Sequence, residues 1–293
     1  MMEPSLAHVS RWSMLRERLA GRAFYLVLPL ALYLCFFYVY PLLRMLLMSF
    51  FSPEFTLRHY LAFFHGKVNL YSLYVTLRIS FVVTLWCLLL GYPLAYYLSS
   101  LPPKKANLRL ILVLIPLWTS LLVRTYAWIM ILGRNGIINQ TLMKLGLIDK
   151  PLKIIYNSLG LTIGMVHVMM PFMVLSLYSV MTGIDRGLLK AAQNLGARPF
   201  EAFRRVFLPL SIPGILAGSI LVFVISVGFF VTPVLLGGPK EMMISMIIDQ
   251  AVSVLLNWGF ASAASFLLLF LIIGILLTSG RIVGFDKLWG KRV

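Results

Sequence analysis

The sequence predicts an all-α membrane protein with six transmembrane helices and both termini in the cytoplasm. Of its 293 residues, 60% are hydrophobic and only 12% are charged, an apolar share well above that of an ordinary soluble domain. Six apolar stretches are long enough, at about 1.5 Å rise per residue, to cross a hydrocarbon core of about 30 Å. The basic residues gather in alternate connecting segments, which orients the bundle. Helices are required because unpaired backbone is not tolerated in lipid and six short strands do not close a barrel.

The first stretch, residues 23–51, follows Arg11, Arg16, Arg18 and Arg22. It is too long for the apolar region of a signal peptide and has no small-residue cleavage site, so it reads as a retained anchor. The second and third stretches, 72–99 and 108–132, are joined by a segment holding Lys104, Lys105 and Arg109. Before the fourth, 160–181, the sequence RNGIINQTLMKLGLI places apolar residues at helical spacing up to Gly146 and predicts a short surface helix. The fifth, 212–236, contains a Gly214-x-x-x-Gly218 pair suited to close helix packing, together with Pro213, Gly228 and Pro233. The sixth is 261–282. The chain thus divides into a cytoplasmic tail (1–22), a helical domain (23–283) that includes a cytoplasmic loop over 183–211, and a second tail (284–293). Cys35 and Cys87 both lie in apolar runs and read as small buried hydrophobes rather than a disulfide or metal ligands.

Counted by segment, 16 Lys and Arg fall on the side that holds both termini and seven on the other. The positive-inside rule therefore makes the first side cytoplasmic. The net charge of +17 does not indicate nucleic-acid binding, because no soluble domain is available to carry a basic face. One cytoplasmic segment, LLKAAQNLGARPFEAFRRVFLPL (188–210), differs from the apolar runs that flank it. Residues 188–195 suit a short helix stopped by Gly196, and Pro199 starts a second helix with Glu201 in its first turn, running to Pro209. The product is a helix, a tight corner and another helix, with Ala191 and Ala192 offering a shallow surface to another protein. From the residues alone, an ordinary amphipathic interfacial loop is the alternative.

This segment resembles the coupling loop of the permease subunits of binding-protein-dependent ATP-binding-cassette (ABC) importers. The pattern there is Glu-Ala-Ala, three residues, Gly, nine residues, Ile, one residue, Leu-Pro. Ala191, Ala192, Gly196, Leu208 and Pro209 match it, and Val206 stands at the Ile position. With GYPLAYYLSSLP, LIPLWTSLLVRTYAWIMILGRNGIIN and VTPVLLGGP, the chain is similar to spermidine/putrescine-type permeases along most of its length. The resemblance implies a type I ABC importer permease fold in the bacterial inner membrane. It further implies a second homologous permease, separate ATPase subunits and an extracytoplasmic solute-binding protein, which could dock at the 134–148 helix. Asp185, Leu189, Lys190, Ala191, Ala192, Gly196, Ala197 and Pro209 would form the ATPase-coupling surface. Lys190 departs from the family's Glu, so the facing ATPase should present an acidic or neutral group, or the second permease should carry the stronger coupling.

No G-x-x-x-x-G-K-[ST] sequence occurs in the chain. No cofactor is therefore expected in this chain, and ATP with Mg²⁺ is expected on the partner ATPase. Arg44, Arg78 and Arg124 lie in apolar stretches toward their outer ends, where no Asp or Glu accompanies them. Arg44 and Arg78 are close enough to the ends to snorkel; Arg124, among hydroxyls and aromatics, marks a pathway or structural position. Tyr126, Trp128, Phe229 and Phe230 could offer aromatic faces to a cationic solute, against a bland role in core packing. Asp249, like Glu54, Asp149 and Glu241, is placed in an outer loop. A polyamine is the family-level expectation for the solute, and a zwitterionic or anionic amine-containing solute stays open. His167, without metal-ligand partners, reads as a hydrogen-bonded core histidine. A secondary transporter or channel working without an ATPase, or an intramembrane enzyme, are the alternatives, though neither an acidic relay nor a catalytic constellation is evident.

Overall fold

The computed structural model describes residues 27–51 and 54–283. Both predicted tails, and with them the placement of the termini, lie outside the described residues. Twelve helices are described: α1 (Val27–Phe50), α2 (Arg58–His65), α3 (Lys67–Ser99), α4 (Pro103–Trp118), α5 (Leu121–Leu132), α6 (Ile137–Lys144), α7 (Ser158–Met181), α8 (Gly187–Asn194), α9 (Pro199–Val227), α10 (Val231–Leu236), α11 (Ile244–Ser253) and α12 (Trp258–Val283). Five of them are long and apolar enough to cross a membrane, and α4 with the bent 121–144 segment after it makes a sixth when the pair is counted as one span.

The core is a bundle of α3, α7 and α9. Leu161, Met165, Met169, Met173 and Leu177 recur every fourth residue on α7 and are fully buried against Val75, Ile79, Val83 and Cys87 of α3 and Val222 of α9. The predicted Gly-x-x-x-Gly face packs here. A Cβ on Gly218 would stand 2.8 Å from Met173 Sδ, and one on Gly214 would stand 3.0 Å from the Val180 Cβ. The helix α1 packs chiefly on α12 and leaves Phe36, Phe37 and Tyr38 exposed. Cys35 shares that exposure, contrary to expectation, because α1 has only one large neighbour in this chain, whereas Cys87 is buried in the core.

Prolines act differently from site to site. Helices α3 and α7 pass through Pro93 and Pro171 unbroken. Before Pro41, α1 widens into a π turn over Cys35–Val39, which gives room to a residue without an amide hydrogen.

Three predicted elements are corrected. The third stretch is two helices, α4 being bent by 93° from the 121–144 segment that follows: Thr119 gives both its amide and its hydroxyl to the Pro116 carbonyl, closing α4, and α5 starts after Ser120. The fifth stretch also breaks. Helix α9 ends at Val227 and α10 starts at Val231, with Pro233 in its first turn, where a missing N–H is tolerated; the Phe229 carbonyl between them accepts from Ser245 Oγ at 2.7 Å. The second corner helix, expected to end at Pro209, instead runs on as α9. A π turn over Phe203–Phe207, with the Leu208 amide donating to the Phe203 carbonyl, makes space for the proline ring.

Candidate functional site

At one end of the bundle the chain turns from α7 into α8 and then into α9. The first half of the corner is held by its own backbone. Asp185 Oδ1 accepts from the Gly187 amide at 2.8 Å and opens α8. Gly196 takes φ +93°, where a side chain would be strained. The Gly196 amide donates to the Gln193 carbonyl and the Ala197 amide to the Ala192 carbonyl, the double closure that satisfies the last carbonyls of a helix. Glu201 then accepts from the Arg198 amide at 3.2 Å and opens α9.

This frame sorts the predicted coupling residues into two faces. Leu189 packs against the core cluster, and Ala192 and Ala197 are half-buried. Asp185, Lys190, Ala191, Gly196 and Pro209 are exposed. Beside them stand two apolar side chains that the sequence motif does not include, Leu195 at 89% and Phe200 at 70% exposure. Arg186 was likewise not singled out. Its Nη2 donates to Ser99 Oγ of α3 at 3.1 Å, and its guanidinium lies 5.5 Å from the Tyr96 ring centre and 5.9 Å from that of Phe207. Phe203, Phe207 and Tyr96 stack around it, and Tyr92 shares a 2.9 Å hydrogen bond with Ser211. The corner is therefore tied to α3 and α9 by an aromatic cluster with a cation at its edge.

The predicted pathway residues occupy three places. On α5, Arg124 and Trp128 are four apart and share a face, while Tyr126 lies on another and is exposed. Nε and Nη1 of Arg124 are buried without a hydrogen-bond partner. Trp128 Nε1 donates to His167 Nδ1 at 3.1 Å, the hydrogen bond expected of that histidine. Together with Trp86, Leu90, Thr162 and Ile163 these two rings line an apolar cavity of about 410 Å³. Phe229 and Phe230 sit in the break between α9 and α10, half-buried, rather than inside a span. Asp249 is exposed on α11 and accepts from Ser253 Oγ at 3.1 Å. Among the described residues no hydrogen bond or aromatic stack joins one of these groups to another.

One carboxylate departs from its expected place. Glu241 is only 9% exposed. Its Oε1 accepts from Ser158 Oγ at 2.8 Å, and the same hydroxyl accepts from Arg78 Nη2 at 3.0 Å. Arg78, expected to snorkel, thus reaches a buried carboxylate through one serine, linking α3, the start of α7 and the loop after α10.

The model of a protein family, the inner membrane component of binding-protein-dependent transport systems, matches residues 12–282. The chain belongs to that family. It is an ABC importer permease subunit, a multi-pass protein of the bacterial inner membrane. Over 243 residues the permease is 38% identical to the spermidine/putrescine transport system permease protein PotB of Haemophilus influenzae, covering 80% of this chain and 84% of that one. Over 232 residues it is 37% identical to PotB of Escherichia coli, covering 78% and 82%. Among solved structures, the fold is similar to that of a bacterial alginate ABC transporter in complex with an alginate pentasaccharide-bound periplasmic protein. That match has a TM-score of 0.76 at 18% identity, over 93% of this chain and 96% of that chain. The matched region includes the α7–α9 corner and the break between α9 and α10.

Proposed function

We propose that this permease pairs with a second, homologous permease to form a solute pathway, and that its 185–209 corner couples the pathway to a separate ATPase binding ATP and Mg²⁺. The supporting observation is the corner itself, a doubly capped turn carrying exposed Leu195 and Phe200 and joined to two core helices through Arg186. Leu195 and Phe200, exposed beside the residues that match the coupling motif, suit contact with a protein partner. Lys190 and Ala191 lie on the exposed side, where an ATPase groove would close over α8. Lys190 then meets an acidic or neutral group there, or the second permease carries the larger share of coupling. In this orientation the corner and both termini are cytoplasmic, and the α6 and 150–156 loops face outward.

The carried solute is a polyamine, on the strength of the likeness to two PotB permeases. Trp128 and the Phe229–Phe230 break supply aromatic faces that suit an organic cation. The unpartnered nitrogens of Arg124 favour a second reading, a zwitterionic amine with an acidic group. Uptake of labelled spermidine and putrescine by the reconstituted complex, with aminophosphonates as competitors, separates the two. Saturable, ATP-dependent polyamine uptake is expected. Absence of polyamine uptake in a complex that takes up a labelled aminophosphonate, with no competition from any polyamine, overturns the polyamine reading.

A further inference from the structure

Helix α3 carries buried hydroxyls one helical turn apart, at Ser72, Thr76, Ser80 and Thr84, about 6 Å from one to the next along the axis. They are not used alike. Thr76 and Thr84 donate to the carbonyls of Ser72 and Ser80 at 2.7 Å each, whereas among the described residues the oxygens of Ser72 and Ser80 have no hydrogen-bond partner. Thr76 has a second role. Helix α11 has no side-chain cap of its own, and its first amide, that of Ile244, donates to Thr76 Oγ1 at 2.9 Å in the interior. One residue on, Ser245 Oγ donates to the Phe229 carbonyl in the break after α9. Ser226 Oγ, in the last turn of α9, is fully buried and, among the described residues, also without a partner.

Tyr92, late in α3, shares a hydrogen bond with Ser211, early in α9, so these two helices run antiparallel. Going from Thr76 to Ser80 on α3, and from Phe229 to Ser226 beside it, is therefore movement in the same direction. A single step of α11 toward the Tyr92–Ser211 end would carry the Ile244 amide to Ser80 and the Ser245 hydroxyl to Ser226, and would give both idle hydroxyls a partner. Packing favours that direction. Ile244 clusters with Leu73 and Leu77. One turn toward Ser80 it meets Leu77 and Phe81, whereas one turn toward Ser72 it meets Asn69, whose side-chain amide donates to the Phe63 carbonyl at 3.3 Å. Helix α11 packs chiefly on α12, which also carries α1 and α2, and meets the α3–α7–α9 core more lightly. The four outer helices can thus shift as one body against that core.

We propose that α11 ratchets by one helical turn along the hydroxyl ladder of α3 during transport, exchanging Thr76 for Ser80 and the Phe229 carbonyl for Ser226. A buried polar group left unpaired costs free energy, so hydroxyls idle in one state mark the partners of another. One-turn steps of one element past another are a known form of bistable switching. The inference rests on the proposed function above, since the step needs a transport cycle to drive it.

The test uses the complete transporter reconstituted in lipid, with labelled spermidine. S80A and S226A remove hydroxyls that bond nothing in this structure, so the melting transition should stay or rise while solute moved per ATP hydrolysed falls several-fold. S72A, equally buried and unpartnered but one turn the other way, should keep the wild-type ratio. Spin labels at L89C of α3 and Q250C of α11, both exposed positions, are placed in a chain with Cys35 and Cys87 replaced by alanine. They should come about 5 Å closer between the nucleotide-free complex and one trapped with ATP and vanadate. An unchanged separation, a wild-type ratio in S80A or S226A, or an earlier melting transition in either, overturns the inference. An equal loss in S72A overturns it as well, because the effect then has no direction. A wild-type complex that moves no solute on ATP hydrolysis contradicts the proposed function, and the spin-label separation still reads the step.

Discussion

Arg186 touches three elements at once: it precedes α8, donates to Ser99 of α3, and lies over the rings of Tyr96 and Phe207. A cation over aromatic faces at a partly desolvated site contributes about 0.5–2 kcal/mol, enough to hold a short connector against thermal motion. R186A is expected to leave the complex assembled but to lower the ratio of solute moved to ATP hydrolysed several-fold. R186K keeps the charge and a donor for Ser99 and should restore part of that ratio; equal ratios in wild type and R186A would remove the linkage role. Glu241 is a second residue whose meaning lies in its partners. E241A leaves the Ser158 hydroxyl without its acceptor and removes the carboxylate that Arg78 reaches through it, and should lower apparent stability by about 1–3 kcal/mol, read as an earlier melting transition in detergent. E241Q keeps an acceptor oxygen and is expected to lose less.

Among the elements, breaks carry more information than spans. Apolar length alone located the long helices, because a run of twenty apolar residues has few other fates in lipid. The breaks were not legible in the same way. Pro171 and Pro93 leave their helices intact, whereas the fifth stretch opens at 228–230, just before the helix that holds Pro233, and the partner of the Phe229 carbonyl there is Ser245, which is close only in the fold. The burial of Glu241 was hidden for the same reason, since Ser158 is 83 residues away in sequence. The corner was more legible, because Gly196 and Pro199 act on backbone geometry within a few residues. Gly196 therefore offers a local test. G196V forces a branched side chain into φ +93° at about 1–2 kcal/mol, and hydrogen exchange of amides 187–197 should quicken while the core of α7 stays protected. Gly164 tests the break: a Cβ there would stand 2.3 Å from Leu236 Cδ1. G164V is expected to displace α10 from α7 and to abolish uptake with the complex still assembled; full uptake by G164V would separate α10 from transport.

At the scale of the whole molecule, this chain is one part of a larger machine. A packed bundle of α3, α7 and α9 forms a stiff centre. Helix α1 presents nearly all of its apolar surface outward, and the corner at one end of the bundle carries exposed Leu195 and Phe200 among basic side chains. Closure of an ATPase against the corner would move α7 and α9 together, because Leu189, Phe203 and Phe207 all pack into the same core cluster. The direct test is a disulfide cross-link in inside-out vesicles holding the full transporter, between L195C, in a chain with Cys35 and Cys87 replaced by alanine, and a cysteine in the ATPase groove. The account predicts that the bond forms with residue 195, that ATP-driven solute movement stops when it does, and that reduction restores it. Undiminished transport with the cross-link fully formed, or modification of residue 195 by an impermeant reagent from outside intact cells, would contradict it.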